Sequence, residues 1–118
     1  MTPTQEQEIF DGTDKLLLEL REIENIGATR ASEINVELSS LLGSVSEMVS
    51  NRENAWNVKH WKILQKQEVA NKAAVEAKAT EEYRDFKRAE RYEKFIGKAQ
   101  RSIENYLRRT RDNEWANR

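Results

Sequence analysis

Cysteine is absent from the 118 residues. That excludes a disulfide frame, a thiolate zinc site and a cysteine nucleophile. A single histidine, His60, leaves no set of imidazoles for a metal centre and a thin basis for a Ser-His-Asp triad. One proline and four glycines give the chain few places to turn, a composition suited to long helices. Long apolar runs are missing as well. Only 37% of residues are apolar against 35% charged, and no stretch approaches the ~20 uncharged apolar residues of a membrane span. No membrane partner is therefore expected. The first residues lack the basic and apolar regions of a signal peptide, so the expected location is cytoplasmic.

Charge is plentiful and polarised. Residues 1–51 hold 3 Lys/Arg and 10 Asp/Glu, a net of −7, and residues 52–118 hold 17 and 11, a net of +6; together they give the −1 of the whole chain. Such a molecule can attract copies of itself or present its basic half to a polyanion.

The whole chain reads as helix with a few breaks. Pro3 suits a first turn, and Thr4 with Gln7 fits a capping box. Asp11-Gly12-Thr13 is an expected interruption, followed by a short helix from about Asp14 to Ile26 that ends on Gly27 as C′ residue. From Ser32 an apolar seam runs through Leu38, Leu42, Val45, Val49, Arg52 and Trp56, then His60, Ile63, Gln67, Ala70, Ala74 and Ala77. The steps alternate between three and four, with an extra step of four near Arg52–His60, as in a heptad repeat with a stutter. Residues 78–82 read as a turn, with Thr80 as N-cap. A second seam follows at Ala89, Tyr92, Ile96, Ala99, Ile103, Tyr106 and Thr110.

The expected fold is all-α: an acidic helical segment over residues 1–31, then a coiled-coil-like hairpin over 32–118 built from antiparallel helices at 33–79 and 81–115. A two-helix hairpin buries only one narrow stripe per helix, and here the stripes include Arg52, His60, Gln67 and Thr110. A homo-oligomer is expected to cover what remains.

The sharpest functional signal is a basic stripe on the last helix: Arg84, Lys87, Arg91, Lys94, Lys98 and Arg101, continued by Arg108. It lies about 140° from the apolar seam and runs for about 36 Å. A phosphate backbone can follow such a track. Equally, a solvated helix face can be laced by i,i+4 pairs, or a neighbouring copy can supply the counter-charges. Lys59, Lys62 and Lys66 form a second row, with Lys72 and Lys78 more scattered. Trp61 projects away from the seam, either as an interface anchor or as a base-stacking ring. Tyr83 and Phe86 flank the turn, where they close it or meet a partner. Trp56 and His60 read as packing residues. Arg52 snorkels, meets a carboxylate or fixes register.

Glu33 and Glu37 are four apart but have no further ligands near them in sequence, so no metal is expected. No phosphate-cradling glycine loop and no nucleophile elbow is present, so neither an enzyme nor a cofactor is expected.

The segment Trp61, Lys62, Lys66, Ala73-Ala74, Lys78-Ala79 and Tyr83-Arg84, with the Trp-containing end from Arg108 to Trp115, resembles the phage recombination mediator family UvsY. The similarity covers about half the chain. The family's aromatic-Tyr-Gly turn is missing, and the acidic first 50 residues have no counterpart. The resemblance implies a ring-forming helical protein that binds single-stranded DNA and works with a recombination or replication protein. It places Lys62, Lys66, Lys72, Lys78 and Arg84 on the DNA and, for a phage-encoded protein, the site of action in the host cytoplasm. Two readings therefore stand side by side: a non-enzymatic oligomer binding single-stranded nucleic acid, and a structural or adaptor coiled coil whose charges pair between subunits or with a protein partner.

Overall fold

The computed structural model describes residues 1–67 and 69–117, and every regular element among them is helical. Helix α1 is Pro3–Glu19, a 3-10 turn covers Leu20–Glu22, α2 is Ile23–Lys66, α3 is Ala70–Lys78 and α4 is Glu81–Ala116. No helix among the described residues is long and apolar enough to cross a membrane. The chain divides into two compact units, one of Met1–Ser44 with the chain from Lys94 onward, the other of Val45–Glu93.

Three local expectations are corrected. The capping box lies at Thr2 and Gln5, not at Thr4 and Gln7: Thr2 Oγ1 accepts from the Gln5 N–H at 3.2 Å, and Gln5 Oε1 accepts from the Thr2 N–H at 2.7 Å. With Pro3 in the first helical position, the cap must precede it. Asp11-Gly12-Thr13 does not interrupt α1; Thr13 is buried and its hydroxyl donates to the Ile9 carbonyl at 2.8 Å. That bond satisfies the hydroxyl inside the helix, so no break is needed. Finally, the helix expected over 33–79 is divided: α2 stops at Lys66, and Val69 is extended at φ −115°, ψ 119°. Glu68, within that expected helix, and Arg118, within the expected hairpin, lie outside the described residues.

Gly27 interrupts α2 at φ 81°, ψ 163°, a conformation open to glycine and strained for other residues. It allows the chain to change direction between the first turn of α2 and the rest of it.

In the first unit, Phe10, Thr13 and Leu16 of α1, Ala31, Ile34 and Leu38 of α2, and Ile96, Ile103 and Tyr106 of α4 are buried. Each helix thus turns one stripe inward, the helical rendering of three-and-four spacing. At its polar edge Gln100 donates to Ser39 Oγ at 2.8 Å, and Arg109 meets Glu24 at 3.3 Å. Arg30 gathers three carboxylates: Glu19 at 2.7 Å, Glu33 at 3.2 Å and Glu37 at 3.8 Å. The hydrogen bond with Glu19 is the main reason the guanidinium is held above its usual pKa.

In the second unit, Val45, Met48, Ile63, Ala73, Ala77, Phe86 and Ala89 are buried, and Ile63, Ala73 and Ala77 form one cluster. Ser46 donates to Glu93 at 2.9 Å and Arg52 meets Asp85 at 3.6 Å. Ala70, expected on the seam, is exposed. The break after Lys66 resets the phase: Ala73 is buried and Ala74 only half-buried, while Ala77, expected on the seam, is buried.

Candidate functional site

Thr80 fixes where α4 begins. Its hydroxyl accepts from the Tyr83 N–H at 3.3 Å and donates to the Ala77 carbonyl at 2.7 Å. Glu81 and Glu82 occupy the first turn of α4, favourably placed against the helix dipole. With that start set, a shallow groove in the second unit is lined by Lys78, Tyr83, Arg84, Asp85, Lys87, Arg88, Glu90 and Arg91. Five cations there face two carboxylates. Both carboxylates are engaged: Asp85 by Arg52 at 3.6 Å, and Glu90 by Lys87 at 3.1 Å. Lys78, Arg84 and Arg91 are exposed and, among the described residues, no carboxylate lies within ion-pair distance of them.

Lys87 differs from its neighbours. Besides Glu90, its ammonium lies 5.6 Å from the Tyr83 ring centre and 5.3 Å from that of Phe86. It is half-buried and held by two ring faces and a carboxylate. On the preceding helices Lys59, Lys62, Lys66 and Lys72 are exposed. A second shallow groove, lined by Asn54, Ala55, Val58, Lys59, Lys62 and Glu82, contains two of them.

The first unit holds the rest of the expected stripe. Lys94, Lys98, Arg101 and Arg108 are exposed on α4. Arg108 and Arg109 line a groove with Ile23, Ser102 and Asn105. Phe95, which sequence reading passed over, is 45% exposed and sits one helical turn before Lys98. Its signal was an aromatic at a position outside the α4 seam.

The expected aromatic positions separate into two kinds. Trp61 is 61% exposed. Phe86, by contrast, is 6% exposed and stacks on Trp56 with ring centres 5.7 Å apart and planes at 17°. Tyr83 is half-buried, 5.0 Å from the same indole. His60 also stacks on Trp56, with ring centres 6.0 Å apart. Trp56 is therefore the centre of an aromatic group that draws Tyr83 and Phe86 inward, whereas Trp61, Phe95 and Trp115 are exposed.

Among the described residues, no group of three or more His, Asp or Glu side chains is placed to hold a metal ion. The arrangement can do something simpler. In the second unit it presents the exposed cations Lys78, Arg84 and Arg91, none of which has a carboxylate within ion-pair distance among the described residues. No protein family matches this chain, and neither a curated protein nor a solved structure is detectably similar to it.

Proposed function

We propose that this protein is a non-enzymatic helical oligomer that binds single-stranded nucleic acid through its basic surface. The observation that carries the reading is the groove of Lys78, Arg84 and Arg91, where Asp85 and Glu90 are already occupied by other cations. Three positive charges are left to meet negative charge from outside. Phosphates are suited to this, because each neutralised phosphate releases condensed counterions. Exposed rings such as Phe95 and Trp61 offer stacking faces that unpaired bases can use and paired bases cannot.

The fold belongs to the same proposal. An antiparallel, coiled-coil-like hairpin of α2–α3 against α4 explains why partners climb one helix as they descend the other within each unit. Further copies would cover the apolar surface that two helices leave open. The resemblance to the phage recombination mediators extends the reading to a recombination or replication accessory acting in a host cytoplasm.

Fluorescence anisotropy of a labelled oligonucleotide tests it. At about 50 mM salt a single strand should bind saturably and more tightly than the duplex. An unchanged anisotropy across the titration contradicts the proposal. The second reading, an adaptor whose faces pair with protein, is favoured by the exposed apolar residues Val58, Trp61 and Leu64. It predicts assembly that is indifferent to oligonucleotide.

A further inference from the structure

On α2 in the second unit, Val58, Trp61 and Leu64 are exposed at 54%, 61% and 40%. Spaced by three, they cover about 120° of the helix surface. Lys59, Lys62 and Lys66 border this strip on the Val58 side and, among the described residues, have no carboxylate within ion-pair distance. A large apolar side chain exposed within a basic border has the composition of an interface: a ring to be buried at the centre and charges at the rim.

The first unit carries a patch of the complementary kind. Glu19, Glu33 and Glu37 converge on one guanidinium, that of Arg30, so the group holds a net charge of −2. Leu18, next to Glu19, and Val36, next to Glu37, are both exposed. Carboxylates and apolar side chains are mixed here as lysines and apolar side chains are mixed on the strip.

We infer that the Val58–Trp61–Leu64 strip of one molecule docks on the Glu19–Glu33–Glu37 patch of a second copy of this chain. Charge complementarity selects the occupant: a strip meeting a strip would oppose lysine with lysine, whereas the carboxylate patch offers opposite charge beside apolar surface. The contact joins two different surfaces, so it is heterologous. It builds a ring if its rotation closes and an open filament if it does not. Trp61 is the anchor, and the charges set orientation and encounter rate. This contact does not require the α4 groove, but it buries Trp61, so in the assembly base stacking would fall to other exposed rings such as Phe95.

The test is sedimentation velocity of the full chain over a range of concentration and salt, without oligonucleotide. The wild type should associate, and association should weaken as salt rises. Trp61→Ala should weaken it by about tenfold or more. The chain carrying K59E, K62E and K66E and the chain carrying E33K and E37K should each fail to associate alone. Mixed, they should assemble, because each then meets a face of opposite charge. Assembly of the mixture also shows that both variants are folded. Three results overturn the inference: a wild type that stays monomeric at all concentrations, association unchanged by E33K and E37K, or a mixture no more associated than its parts.

Discussion

The indole N–H of Trp56 on α2 donates to the main-chain carbonyl of Ala77 at 3.1 Å, in the last turn of α3. Carbonyls at a helix end have no partner within the helix. Here the Ala77 oxygen also accepts from the Thr80 hydroxyl. One carbonyl thus ties the centre of the aromatic group to the residue that starts α4, and through it to the basic groove.

Trp56→Phe keeps much of the ring contact with His60, Tyr83 and Phe86 and removes only the donor. Because Thr80 still satisfies the Ala77 oxygen, the cost should be about 1 kcal/mol. Trp56→Ala removes the ring as well and should cost about 3 kcal/mol. Urea denaturation followed by circular dichroism distinguishes the two. Equal losses would show that the ring packing contributes nothing.

Thr80→Ala deletes the acceptor for the Tyr83 N–H and the second donor to Ala77, and should destabilise by about 1 kcal/mol. Thr80→Ser retains both bonds and should stay within a few tenths of the wild type. Thermal melts of the pair check this. A loss shared by both variants would place the effect in the methyl group rather than the cap.

The glycines should separate by backbone conformation. A Cβ at Gly27 meets nothing within 4 Å, so Gly27→Ala is opposed only by its positive φ, at about 1–3 kcal/mol. Gly12 and Gly97 lie inside helices with the same open surroundings, and Gly12→Ala or Gly97→Ala should stabilise by about 0.5–1 kcal/mol. Chemical denaturation of the three single variants reads both signs. A stabilising Gly27→Ala would mean that the break in α2 is absent in solution.

Much of the helical pattern is legible in the residues. On α4, Ala89, Ile96, Ile103 and Tyr106 are buried while Tyr92, Ala99 and Thr110 are half-buried, the stripe that three-and-four spacing describes. On α2 the same spacing chooses Val49, but Met48 beside it is buried and Val49 only half-buried. Adjacent apolar residues share one side of a helix, and packing against neighbours decides between them. The stop at Lys66 has no local mark: neither proline nor glycine is near, and the residues are compatible with continuing helix. It follows from how the chain packs, with Ala73 and Ala77 joining Ile63 after an extended Val69.

The candidate site was legible as charge and not as pairing. Arg84, Lys87 and Arg91 share one stripe in sequence, yet only Lys87 is held by Glu90 and the rings of Tyr83 and Phe86. Likewise Tyr83 and Phe86, expected to close the turn or meet a partner, pack against Trp56. Which cation keeps its charge for a partner depends on carboxylates that are close in space, such as Asp85 occupied by Arg52.

The salt dependence of oligonucleotide affinity tests the central claim most directly. Log affinity should fall linearly with log salt concentration, with a slope near −0.7 for each phosphate neutralised on a single strand. The triple variant K78E, R84E and R91E should bind more weakly and flatten that slope by about two units. A wild-type slope near zero, or a slope and affinity that the triple variant leaves unchanged, would contradict the account.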